Sequence, residues 1–297
     1  MANLIRKIGV FNLFLFAAII IIIAIIYNNY YSYTMPKTIW MYWDSTVLPK
    51  NVELIKQYNE PAFREWNLIY LNPTTLYEYI DKGHFPVGYH ELLVQHKADW
   101  IRLYVLRKYG GVWIDASIIF NDKNSLNKIW AQTIKQQSVF TAFYGNVFMK
   151  DQFFTHISGK KLPLLIDNWF IMAPKNSYII QLWFDEYTQA IREGLFNYKQ
   201  RAIQEGVDIH AIHFKNAEDV YLTQHICIEK IFQKTLKTLP SHILISSDTS
   251  MLRIQNKCKW KHECVVNTIL HDPQTRKLPY VKLTRHERDD VTAYFKH

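Results

Sequence analysis

The residues best suited to chemistry fall in one short stretch, Asp99 to Ser117. Asp99 and Arg102 are three apart, so on a helix they share a face where a carboxylate and a guanidinium can pair. Gly110-Gly111 follows, and then Val112-Trp113-Ile114-Asp115-Ala116-Ser117. On an extended strand, Asp115 and Ser117 project together from a segment that is otherwise almost wholly apolar. A carboxylate there is costly unless it is paired or binds a metal. Spacing alone fits a plainer arrangement as well, a helix-surface ion pair followed by a carboxylate that caps a turn.

Positioning those residues requires a helix, a tight turn and a strand in immediate succession. His90 to Tyr109 has helical spacing, and Gly110 supplies the left-handed residue that closes it. The second glycine lets the backbone turn into a strong strand, Val112 to Phe120. Upstream, Thr38 to Trp43 reads as a first strand after Pro36, Lys50 to Trp66 as a helix and Trp66 to Leu71 as a second strand. Thr74 to Lys82 suits a helix capped by Thr. Downstream, Asn168 to Ala173 reads as strand, with Ser177 to Glu193 and Ala217 to Lys234 as helices. Such alternation predicts an α/β domain with a largely parallel sheet.

Composition narrows the class. The 297 residues are 49 % hydrophobic, with 35 Lys and Arg against 26 Asp and Glu, a net charge of +9. So apolar a chain is not disordered, and three cysteines cannot form a disulfide framework. The charge suits nucleic acid, a membrane surface or a phosphate-bearing small molecule. No nucleic-acid motif is present, and no phosphate loop, Gly-x-Ser-x-Gly elbow or His-Glu-x-x-His helix. Residues 251–297 hold ten Lys and Arg against five Asp and Glu, more than half of the net +9.

Part of the apolar content is a single run. From Val10 to Ile26 only Asn12 is polar, and residues 8–27 suffice, at ~1.5 Å per residue, for the ~30 Å hydrocarbon core of a bilayer. Arg6 and Lys7 precede the run and nothing basic follows until Lys37, which orients the N-terminus to the cytosol. The expected organisation is a cytosolic segment 1–7, a transmembrane signal anchor 8–27 in the lipid bilayer, a stem 28–35 and one domain 36–297. The expected location is the Golgi or another secretory-pathway membrane, or the cytoplasmic membrane if the source is bacterial. A lumenal domain would let Cys258 and Cys264 bridge, leaving Cys227 as a buried thiol. His210 and His213 have spacing better suited to a surface loop than to a metal site.

The central stretch resembles the sugar-nucleotide signature of the capsular polysaccharide synthesis protein family, related to glycosyltransferase family 32. Asp99, Arg102, Leu106, Gly110, Gly111, Trp113 and Asp115 match its spacing. Pro36 to Trp43, Asp167 to Ala173, Tyr221 to Phe232 and Leu278 to Thr284 resemble its other segments more weakly. The resemblance implies a GT-A-type, Rossmann-like fold and a glycosyltransferase that transfers a sugar from a nucleotide-diphosphate donor, expected to be a UDP sugar, to a glycan or glycoconjugate acceptor with retention. It implies donor contacts from Tyr42, Trp43, Asp99, Arg102, Gly110 and Gly111, with Asp44 nearby, and a catalytic role for Asp115. The basic C-terminal stretch suits a solvated face, a lipid surface or a wall for the donor diphosphate, with Lys282 and Arg285 as its donor-binding candidates, and Asp167 and Asn168 suit either a catalytic contact with donor sugar or acceptor or a plain turn. The resemblance also implies Mn2+ or Mg2+ on Asp115 and Ser117, completed by His271, with His225 and Asp272 as further candidates. Related enzymes place a second carboxylate, or in the capsular branch often a threonine, where this chain has Ser117. Loss of that carboxylate also fits a membrane protein that binds sugar nucleotides or glycans without turnover.

Overall fold

Strand β1 (Thr38–Tyr42) is built from β-branched and aromatic residues, and four of its five side chains are buried. It sits between two parallel neighbours, β2 (Asn67–Leu71) and β3 (Gly111–Ile114). The computed structural model describes residues 19–21, 33–145, 154–157, 160–163, 165–209, 212, 214–238 and 240–296. The chain divides into two units, Met1–Thr34 and Met35–His297, and all elements named here belong to the second. The expected span 8–27 lies outside the described residues except for 19–21, which are helical. Among the described residues no helix is long and apolar enough to cross a membrane.

The main sheet adds β8 (Ile166–Ala173), β5 (Phe140–Tyr144) and β9 (His242–Ser246), giving the order β2-β1-β3-β8-β5-β9. Strand β8 is antiparallel to β3 and β5, and β5 is parallel to β9, so five strands run one way and β8 alone is reversed. This is an α/β fold with a mostly parallel sheet. The carboxyl ends of β1, β3, β5 and β9 therefore share an edge with the start of β8. The chain passes from β1 outward to β2 and then returns to β3 on the other side of β1. Such a reversal of strand order opens a crevice where ligands of α/β sheets bind.

Helix α1 (Lys50–Phe63) joins β1 to β2. A short α2 (Leu76–Tyr79) and then α3 (Val94–Tyr109) lead to β3. The expected helix from Thr74 is shorter because the Asn72 side chain takes the Thr74 and Thr75 amides at 2.8 and 3.0 Å, forming a turn first. Every residue of α3 from Asp99 to Leu106 is buried, so this helix lies within the core. Trp100, Leu103 and Tyr104 pack there with residues of α5 (Tyr178–Glu193), including Trp183 and Tyr187. Helix α4 (Ser125–Lys135) precedes β5, and α6 (Leu195–Gln204) follows α5. Helix α7 (Thr223–Lys230) starts six residues later than the expected one and ends in a π turn, Ile231–Thr235. Strands β6 (Phe154–Ile157) and β7 (Lys160–Pro163) form a separate hairpin.

The expected continuous strand from Val112 to Phe120 is broken. After β3 the backbone turns at Asp115–Ser117, with the Ile118 amide donating to the Asp115 carbonyl at 3.2 Å, before β4 (Ile118–Phe120). Strand β4 leaves the main sheet and pairs antiparallel with β10 (Tyr280–Lys282). Around that pair a second apolar cluster joins Ile55 and Ile119 to Ile254, Val265, Ile269, Val281, Leu283 and Val291. These come in part from α8 (Arg253–Lys257) and α9 (His262–His271), and α10 (Arg285–Asp290) follows β10. Cys258 and Cys264 form a disulfide and Cys227 is a buried free thiol.

Candidate active site

The paired glycines do their work at the amino end of β3. Gly110 and Gly111 have φ of +71° and +102°, which L side chains rarely adopt. A Cβ on Gly110 would meet the Lys175 amide nitrogen at 2.5 Å, and one on Gly111 the Thr38 carbonyl at 2.5 Å. They let β3 lie directly against β1. They stand at the opposite end of the strand from Asp115 and pack against the neighbouring backbone.

At the carboxyl end of β3, Asp115 is fixed on both oxygens. Oδ1 accepts from Trp113 Nε1 at 2.9 Å and Arg102 Nη2 at 3.2 Å, while Oδ2 accepts from Lys282 Nζ at 3.1 Å. The same ammonium donates to Ser117 Oγ at 2.5 Å. Burial pushes the Asp115 carboxyl up, but Lys282, Arg102 and the Trp113 indole outweigh it and hold the group below its usual range. The Arg102 guanidinium lies 5.0 Å from the Trp113 ring centroid, a cation–π contact.

Arg102 is itself clamped from behind. Its Nη1 donates to Asp99 Oδ1 and to Gln224 Oε1, the latter at 2.7 Å. Asn168 Nδ2 donates to the same two acceptors at 3.1 and 2.7 Å, and Gln224 Nε2 returns a bond to the Asp99 carbonyl at 2.8 Å. Asp99 and Arg102 are both buried, so their pair is an interior one. Buried charges persist only when paired and hydrogen-bonded, and here each is. Thus α3, β8 and α7 converge to aim one guanidinium at Asp115. His96 approaches Asp99 Oδ2 at 3.6 Å and, with Asp219 and Tyr221, borders a cavity of about 370 Å³.

Alternation along β8 separates the other expected pair. Asn168 joins Asp99 and Gln224, whereas Asp167 points to the other face and accepts from Ser247 Oγ just beyond β9. Burial raises the Asp167 carboxyl to about 7, against hydrogen bonds from Ser247 and Trp169. Tyr42 ends β1 with its hydroxyl bonded to Asp44. Trp43 follows, and the Arg288 guanidinium from α10 lies 5.0 Å from its ring centroid. Burial lowers the Arg288 guanidinium, with Asp289 and then Arg285 the main charges acting on it.

Residues 18–297 match the family described as Capsular polysaccharide synthesis protein. The chain belongs to that family. Among solved structures, a glycosyltransferase involved in the glycosylation of the major capsid of PBCV-1 is similar at 11 % identity and a TM-score of 0.44, covering 88 % of this chain and 98 % of that one. The PaToxG glycosyltransferase is similar at 13 % identity and a TM-score of 0.35, covering 94 % and 93 %. No curated protein sequence matches the chain.

The expected Mn2+ or Mg2+ does not fit the donor set around Asp115. Both Asp115 oxygens and the Ser117 hydroxyl already receive hydrogen bonds, and the ammonium of Lys282 bridges the two side chains. His271 is exposed at the end of α9, and no hydrogen bond or ion pair among the described residues joins it to Asp115 or Ser117. Asp272 pairs with Lys257 at 3.6 Å. His225 is buried on α7 near Asp99 and Arg102, and burial takes it down to about 4, leaving it neutral. Among the described residues no three His, Cys, Asp or Glu side chains stand together to hold a metal.

Three contributors were not read from the sequence: Gln224, Ser247 and Arg288. Gln224 stands between Thr223 and His225 at the polar start of α7, where no local pattern singles it out. Trp43 supplies the aromatic platform for Arg288, while Arg285, three residues earlier, is exposed.

Proposed function

We propose that the protein is a glycosyltransferase that moves a sugar from a nucleotide-diphosphate donor, a UDP sugar by the resemblance of the Asp99 to Asp115 stretch, to a hydroxyl of a glycan or glycoconjugate. The observation that carries this reading is the pairing of Arg102 and Lys282 with Asp115 at the crevice between β1 and β3. A departing diphosphate develops negative charge, and preformed cations at that point stabilise it where charge appears. Membership of a family concerned with capsular polysaccharide synthesis supports the same chemistry.

In this reading Trp43 and Tyr42 border the nucleoside end, and Arg102 and Lys282 face the diphosphate. The bond from the anomeric carbon to the β-phosphate oxygen breaks, and its electron pair stays on that oxygen. The acceptor hydroxyl oxygen bonds to the anomeric carbon, and its proton passes to the departing phosphate oxygen, which retention places on the same face. Asp99, Gln224 and Asn168 act by holding Arg102 in place. No step is assigned to a divalent metal.

The anchor 8–27 and a lumenal catalytic domain belong to this proposal. Hydropathy and the basic residues before the span support them, and the Cys258–Cys264 disulfide fits an oxidising compartment. Protease protection of intact vesicles tests the orientation: residues 36–297 should be shielded. The activity is tested with the purified full-length chain and a panel of nucleotide sugars, reading released nucleotide diphosphate. Release from none of them would refute it; binding without turnover would favour the non-catalytic alternative, which the hydroxyl of Ser117 in place of a carboxylate keeps in view.

A further inference from the structure

We infer that Lys282 is the built-in cation of this site, so that the donor diphosphate binds without a divalent metal. The inference rests on the donor reading above and names the group that compensates the diphosphate charge. The ammonium stands between Asp115 Oδ2 at 3.1 Å and Ser117 Oγ at 2.5 Å. That is the gap between the two side chains a metal ion would need to bridge, and a lysine with three N–H donors fills it.

The placement is fixed by long-range backbone pairing. Antiparallel pairing sets Lys282 opposite Ile118, the residue after Ser117. The Leu283 amide donates to the Ser117 carbonyl at 2.9 Å, the Lys282 amide donates to the Met251 carbonyl at 3.0 Å, and Gln255 Nε2 donates to the Lys282 carbonyl at 2.7 Å. The residue is therefore held on both sides, and its side chain is 14 % exposed. An ammonium that sheltered is kept by its carboxylate partner.

Charge balance points the same way. Two cations, Arg102 and Lys282, contact the single carboxylate of Asp115, and Arg102 is shared with Asp99. A divalent cation added here would be repelled by the two cations that already contact Asp115. A second carboxylate at position 117 would add negative charge beside Lys282, whereas the serine hydroxyl adds none. Arg102 Nε, Arg288 Nε and the Tyr70 hydroxyl are buried with no hydrogen-bond partner among the described residues. Each is a donor of the kind a phosphate oxygen accepts, and buried donors of this kind are rarely left unused.

The test is calorimetric titration of UDP into the full-length chain, once after EDTA treatment and once with excess MnCl2. Expected is the same Kd in both within about twofold, and a loss of about tenfold to hundredfold in Lys282→Met, the worth of one charge-assisted contact. Lys282→Arg should recover most of that loss. Thermal unfolding shows whether each variant is folded; if Lys282→Met is not, the comparison of EDTA with Mn2+ on the unaltered chain decides alone. UDP binding that EDTA abolishes and Mn2+ restores overturns the inference but leaves the donor reading standing. So does a folded Lys282→Met that binds UDP as the unaltered chain does. Absence of binding by UDP, GDP and ADP in either condition overturns both.

Discussion

Asp167→Asn should remove the pH dependence that one buried carboxyl imposes on stability. Asp167 lies 8 % exposed on β8 and is hydrogen-bonded to the Ser247 hydroxyl, which also stands 2.8 Å from the Tyr144 carbonyl. Burial raises the group from 3.8 to about 7; the Ser247 and Trp169 hydrogen bonds and Lys282 oppose the rise, and Asp248 adds to it. Between those two values the folded chain holds a proton that the unfolded chain has released. Stability from this group is therefore full below about pH 4 and falls as pH rises to about 7. A difference of about three units, at about 1.4 kcal/mol each, sets an upper bound of about 4 kcal/mol. Asn keeps the shape and cannot ionise, so the variant should match the unaltered chain near pH 4 and exceed it by up to about 4 kcal/mol near pH 8. Urea unfolding at a series of pH values, followed by tryptophan fluorescence, measures the gap. A gap that stays constant across the range would refute the reasoning, because a purely steric effect of the substitution does not titrate.

Two further outcomes follow from the geometry. Gln224→Ala removes an acceptor shared by Arg102 and Asn168, and should cost about 2–4 kcal/mol by the same unfolding assay while reducing donor affinity through a loosened Arg102. Gly111→Ala should cost roughly 2–4 kcal/mol or abolish soluble expression, since its Cβ would lie 2.5 Å from the Thr38 carbonyl; stability equal to that of the unaltered chain would contradict the packing role.

Local pattern made the centre of the site legible. The spacing of Asp99 and Arg102 and the paired glycines are short-range features, and the helix, turn and β3 that they predict are all present. The fate of Asp115 and Ser117 was not local. Ile118, Ile119 and Phe120 continue the strand pattern, but they pair with β10 instead of the main sheet, and the chain must turn between the two sheets. That turn, and not a shared strand face, brings the two side chains together. Lys282 was singled out for its charge at the basic C-terminal end, yet its position beside Ser117 depends on a strand pairing across some 165 residues. Gln224 and Arg288 likewise reach the site only through tertiary packing. Periodicity also could not show that Asp99 and Arg102 are interior, because α3 is buried along one whole run and lacks a polar face there.

The most direct test of the central claim is release of UDP from UDP-sugar donors by the full-length chain, compared with Asp115→Ala. Measurable release is expected for at least one donor, with a loss of at least about a hundredfold in the variant and its folding retained. Equal turnover by a folded Asp115→Ala would contradict the claim.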